Sequence, residues 1–273
     1  MREIPCFQVD AFTRHTFHGN PAAVCPLEAW MPDATLQAIA AENNVAETAF
    51  FVPRAGSKDE FDLRWMTPTV EVDLCGHATL ATAFILMTVL HHGRTHARFH
   101  TQSGPLDVTR EGDAYTLDFP SRPLGPGAGS GADALAVALG VRPIEVGGAR
   151  DELALFSTAE EVRALRPDFA RIAALDTFAV IATAPGTGAD ADVDFVSRFF
   201  APRQGIDEDP VTGSAHSTLT PYWAARLGKT TLDARQVSAR TGELHCVLAG
   251  DRVHITGYAV LVKTGTLLLP DAP

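Results

Sequence analysis

The sequence predicts an α+β protein of two similar domains, each a curled, barrel-like β-sheet around one central helix. Three observations predict it: an ordered internal repeat, β-rich segments bounded by turn residues in both halves, and one strongly apolar helix per half.

The repeat emerges when Arg64 is set on Arg198, so that Phe61-Asp62-Leu63 meets Phe195-Val196-Ser197. Asp73 then meets Asp209, Gly76-His77 meets Gly213-Ser214, Gly104 meets Gly242, and Gly112-Asp113 meets Gly250-Asp251, at offsets between 134 and 138 residues. Two copies are fewer than a solenoid needs, so they read as two domains facing each other. The first domain is predicted over 1–120 and the second over 130–261. Segment 262–273 is a candidate to return to the first.

In chain order, strands are predicted over 7–12, 49–52, 61–65, 106–110 and 115–119, then over 178–182, 195–199, 244–248 and 253–256. Gly-Asp pairs mark hairpin turns at 110–113 and 249–252. The apolar helices are 77–92, ended at Gly93, and 216–227, ended at Gly228; glycine takes the positive φ of a helix end without steric cost. A helix apolar on nearly every side must be enclosed, hence the curved sheet. Helices 32–41 and 159–165 carry polar residues and belong outside. Stretch 119–131 reads as the linker. Its Gly127-Ala128-Gly129 run has the look of a dinucleotide loop, but three prolines replace the strand such a loop requires.

Composition narrows the function. With 46% hydrophobic and 20% charged residues, the 273-residue chain packs a core. Its net charge of −11 repels phosphate backbones and anionic lipids, so no nucleic acid and no membrane partner is predicted. The longest apolar run, 78–90, falls short of the ~20 residues of a bilayer span. The N-terminus lacks a signal-peptide pattern. Cys6, Cys25, Cys75 and Cys246 share no CxxC spacing, which points to reduced thiols in a cytoplasmic protein rather than a disulfide scaffold or zinc site.

The chemistry-bearing residues gather near the helix starts. At Gly76-His77 and Gly213-Ser214, unpaired N–H groups and the helix dipole suit a carboxylate, and recurrence at matching positions favours a role beyond glycine-assisted turning. Both starts are expected to face one shared cleft. Glu47 leads into a β-rich run, where desolvation suits proton transfer, although a solvated loop-end charge fits the same position. His77 is a base, a hydrogen-bond donor or simply a polar first-turn residue. Asp209, held extended by Pro210, acts or supports its turn. Cys75 sits where a thiol pKa falls, yet residues 211–214 offer no second thiol for two-cysteine racemase chemistry. His91, His92, His96 and His100 have no acidic or cysteine partners at ligand spacing, so no metal is predicted.

Gly19-Asn20-Pro21, Asn44-Val45-Ala46-Glu47-Thr48, Asp73-Leu74-Cys75-Gly76-His77-Ala78-Thr79 and Asp209-Pro210-Val211-Thr212-Gly213-Ser214 resemble the motifs of the PhzF-like (phenazine-biosynthesis) family, related to diaminopimelate epimerase. The resemblance runs in order from Phe7 to Val262. It implies the epimerase-like two-domain fold, commonly a homodimer, and catalysis without cofactor. By resemblance Glu47 is the acid–base, His77 and Asp209 assist it, and Gly76, Gly213, Ser214 and Asn20 bind substrate.

The expected function is therefore a cofactor-independent isomerase moving a proton within a small carboxylate-bearing substrate. One rival is an amino- or imino-acid racemase, epimerase or dehydratase using Cys75. Another is a non-catalytic protein that only binds a small acid.

Overall fold

The computed structural model describes residues 1–125, 129–148 and 150–270. The chain divides into two compact units: Met1–Asp118 with the segment from Thr256 onward, and Phe119–Ile255. The first unit runs β1 (Arg2–Ala11), β2 (Asn20–Pro26), α1 (Asp33–Asn43), β3 (Glu47–Pro53), β4 (Glu60–Met66), β5 (Glu71–Val72), α2 (Gly76–Phe84), β6 (His96–Thr101), β7 (Gly104–Glu111) and β8 (Ala114–Pro120). Next come α3 (Ala132–Leu139), β9 (Glu145–Gly148), β10 (Glu152–Leu155), α4 (Ala159–Ala164), α5 (Phe169–Ala174), β11 (Val180–Pro185), β12 (Phe195–Ala201) and β13 (Ile206–Asp209). The chain continues through α6 (Gly213–Leu227), β14 (Thr231–Gln236), β15 (Gly242–Ala249), β16 (Arg252–Gly257) and β17 (Ala259–Leu269).

The pairing order repeats between units. β1 pairs β2 antiparallel, β2 pairs β3 parallel and β3 pairs β4 antiparallel; β4 then takes β5 antiparallel and β6 parallel, and β6 pairs β7 antiparallel. β9 to β15 follow the same steps with the same directions. Arg64 and Arg198 mark the register. Each forks onto a glutamate of the following short strand, Arg64 on Glu71 at 2.7 Å through both nitrogens, Arg198 on Glu208 at 2.7 and 2.8 Å. β17 runs antiparallel along β1 from Ala11↔Ala259 to Arg2↔Leu269.

Each unit wraps one helix. Residues 76–83 of α2 are all buried, and the helix lies against β1, β2, β3 and β17. Helix α1 covers the opposite face of β3 and β4, sealing a cluster of Cys25, Leu36, Ile39 and Phe50. In the second unit α6 lies against β14 and β15, while α4 and α5 pack on β11 and β12 over Phe156, Val162 and Phe200.

Several elements differ from the sequence reading. The predicted helix 77–92 is α-helical only to Phe84 and continues as a π-turn, Ile85–Leu90, closed by His91 N–H on the Leu86 carbonyl. The Thr88 hydroxyl bonds the Phe84 carbonyl, which widens the turn. Helix α6 begins at Gly213, three residues before the predicted start, and tolerates Pro221 in its interior. The Ser217 carbonyl, deprived of its helical donor by that proline, accepts instead from the Arg122 N–H at 2.8 Å. Strand β2 escaped the strand pattern because it carries two prolines; both sit near its ends, where a missing N–H disturbs the ladder least. Of the linker run Gly127-Ala128-Gly129, the first two residues lie outside the described residues. Among the described residues no helix is long and apolar enough to cross a membrane.

Candidate active site

Glu47 is the first residue of β3 and follows Asn44, whose left-handed φ of 47° ends α1. Flanked by β2, with Ala22 directly opposite, the residue is 6% exposed. Of the two sequence readings, a desolvated acid at a strand entry and a solvated loop-end charge, this burial fits the first. Its Oε2 lies 2.9 Å from Nε2 of His77, within ion-pair reach, though without the alignment of a hydrogen bond.

His77 is the second residue of α2 and 3% exposed. Its Nδ1 lies 3.0 Å from the Asn20 amide nitrogen. Asn20 starts β2, fully buried, after Gly19 at φ +64°; a side chain at Gly19 would meet the Ala11 carbonyl at 2.1 Å, so the turn that delivers Asn20 requires glycine. The amide can serve either protonation state: its NH₂ donates to a neutral Nδ1, and turned over its carbonyl accepts from a protonated one.

Burial disfavours a charged His77, but the Cys75 sulfur and the Glu47 carboxylate favour it, and its pKa is drawn well above 6.5. Cys75, the residue before α2, has Sγ 3.6 Å from His77 Nδ1. Burial and the Glu47 charge push this thiol up to about 11, against the pull of His77. Cys75 is therefore held as a thiol, and Glu47 is the other neighbour that favours a charged His77. The ligand-type atoms of Glu47, Cys75 and His77 lie within 4.8 Å of one another. Both His77 nitrogens already have neighbours, Asn20 and Glu47, and the thiol resists ionisation. The set suits proton handling better than a metal.

The second unit carries the other candidates. Asp209 ends β13, 7% exposed, and accepts from the Thr212 hydroxyl. Gln236 of β14 donates to the Asp209 carbonyl at 2.7 Å and accepts from the Thr212 N–H at 2.8 Å. Gly213 is buried at the first position of α6, and Ser214 beside it is half-buried. Neither α2 nor α6 has a side-chain cap at its start. Both instead carry a back-bond: Thr79 Oγ1 donates to the Cys75 carbonyl at 2.6 Å, and His216 Nδ1 to the Thr212 carbonyl at 2.9 Å. His216 and Gln236 were invisible in the sequence, where neither stands in a distinctive pattern. The four histidines 91, 92, 96 and 100 stay apart from the site, His96 paired with Asp107 and His100 with Glu60.

The family model of phenazine biosynthesis-like proteins, PhzC-PhzF, matches residues 9–265. The chain belongs to that family. An uncharacterized isomerase of Pseudomonas aeruginosa is 52% identical over 267 residues, spanning 98% of this chain and all of that protein. The crystal structure of a PhzF-family phenazine biosynthesis protein from Enterococcus faecalis superposes with a TM-score of 0.90 at 45% identity, covering 98% of this chain and 100% of that one. A hydroxyproline epimerase from Agrobacterium vitis shares the fold, with a TM-score of 0.61 at 13% identity, over 99% of this chain and 94% of its own. This PhzC-PhzF member is an enzyme of the isomerase class, and its α+β fold is of the epimerase type.

Proposed function

We propose that this protein is a cofactor-independent isomerase that moves a proton between carbons of a small carboxylate-bearing substrate, with Glu47 as general base and then general acid. The observation that carries this reading is the buried Glu47–His77 pair at 2.9 Å. A base must be placed before its pKa matters, and β3 places Glu47 where few water molecules compete for its oxygens. Glu47 removes the C–H proton and returns it at the second carbon. His77, oriented by Asn20, stands beside Glu47 and offers a donor to charge that develops on the substrate. Gly76, and in the second unit Gly213 and Ser214, hold carboxylate through uncapped helix-start N–H groups, and Asp209 assists.

The rival racemase or dehydratase chemistry needs a Cys75 thiolate, and a thiol pushed up to about 11 disfavours it. A thermal-shift screen of small carboxylic acids, followed by incubation of the hits in D₂O with mass detection, tests the reading. Deuterium should enter the ligand with wild-type protein and fail to enter with Glu47→Gln, while the thermal shift survives. Ligands that bind wild type and never exchange would instead mark a small-acid binding protein.

A further inference from the structure

The four cysteines are not equivalent. Cys75 and Cys246 are buried, and their pKa values are pushed up to about 11 and about 12, chiefly by burial. Cys6, on β1, and Cys25, on β2, lie one residue beyond the last paired rung, Phe7↔Val24, and their side chains hydrogen-bond each other. Opposed residues of an antiparallel pair have Cα atoms about 4.5–5.5 Å apart, inside the roughly 4.4–6.8 Å a disulfide spans. Both side chains face the cluster under α1, Cys25 with no exposure and Cys6 at its margin.

Cys6 opens onto a cavity of about 250 Å³ that Lys263, Glu42 and Asn43 also line. Its partner on β17 is Gly265, where an added Cβ would meet nothing, so the approach to the sulfur is clear on that side. A hydrogen bond from Cys25, opposed by burial and reinforced by the Lys263 charge and Asn43, lowers the Cys6 pKa to about 7, while Cys25 is raised. A half-buried cysteine opening onto a cavity beside a fully buried one is the arrangement of an attacking and a resolving cysteine.

We propose that Cys6 and Cys25 form an oxidisable dithiol, in which a hydroperoxide reaching the cavity oxidises Cys6 and Cys25 resolves it as a cross-strand disulfide. The Cys6 thiolate attacks the terminal peroxide oxygen; the O–O bond breaks, leaving a sulfenic acid and releasing an alcohol, or water from hydrogen peroxide. The Cys25 sulfur then attacks Cys6, the S–O bond breaks, and water departs with the Cys25 proton. Two thiols lose two electrons and two protons, and the peroxide is reduced.

The test treats the folded full chain with hydrogen peroxide and counts thiols after denaturation. They should fall from four to two, with loss of two hydrogen masses, and a proteolytic Cys6–Cys25 peptide should disappear on reduction. Cys25→Ser should stop at one added oxygen on Cys6, trapped by dimedone, and Cys6→Ser should keep its three remaining thiols. Circular dichroism confirms that each variant is folded, and the wild-type peptide map decides the matter if one is not. Four surviving thiols, a linkage to another cysteine, or oxidation of Cys6→Ser at the wild-type rate would overturn the proposal.

Discussion

Glu47 and His77 stand 2.9 Å apart, carboxylate oxygen to Nε2, on side chains 9% and 4% exposed. Thirty residues separate them in the chain, and they meet because β3 and α2 pack on each other. An acid and a base so enclosed interact more strongly than a surface pair, since little water screens them.

Replacing Glu47 with Gln retains shape and hydrogen bonding but removes the proton-accepting oxygen. A positioned base contributes ~10²–10⁴-fold, so substrate deuterium exchange should slow by that factor, ~3–5 kcal/mol in the barrier. His77→Asn and Asp209→Asn should each cost less, and ligand thermal shifts should change little. Exchange by Glu47→Gln at near the wild-type rate would remove Glu47 from the role.

Cys75→Ser distinguishes the thiol rival. Since Cys75 is held as a thiol, the serine variant should exchange within about tenfold of wild type, well short of the loss at Glu47. A loss as large as that of Glu47→Gln would transfer the proton to the sulfur.

Two first-turn histidines titrate in opposite directions, so their contributions to stability fall away on opposite sides of pH 6.5. His216, buried without a charged partner, is lowered to about 4 by desolvation, against its bond to the Thr212 carbonyl. Its contribution is present above pH 6.5 and is lost as pH falls through 4, about 3 kcal/mol in all. His77 is raised, so its contribution is complete below pH 6.5 and lost as pH climbs through its folded value. Urea unfolding across pH should show the acid limb flattened in His216→Asn and the alkaline limb flattened in His77→Asn. Parallel curves for wild type and either variant would refute that assignment.

The paired arginines should differ in weight. Arg198 has an 11% exposed side chain and also donates to the Val162 and Leu165 carbonyls, whereas the Arg64 side chain is 23% exposed. Breaking an enclosed pair strands its partner, so Arg198→Leu should destabilise by ~3–5 kcal/mol. Arg64→Leu should cost less, ~1–3 kcal/mol. Equal urea midpoints for the two variants would contradict this ranking.

The sequence by itself determined what depends on neighbours along the chain or on recurrence. The duplication is carried by Arg64 and Arg198 and by Gly76 and Gly213, because each copy must build the same strand, short strand and helix start. Gly228 ends α6 at a φ of 67°, the conformation for which glycine is chosen. Glu47, His77 and Asp209 were recognisable as candidates through their motifs. Their surroundings were not. Strand pairing decides that Asn20 meets His77 from 57 residues away and that β17 closes on β1. Tertiary packing likewise decides that the pKa of His77 is raised beside Cys75 and Glu47 while that of His216, at the same end of the sister helix, is lowered by burial. It also brings the side chains of Cys6 and Cys25 together although no CxxC joins them. Desolvation and charge pairing act through space and depend on which residues the sheet brings together, a property that no local pattern encodes.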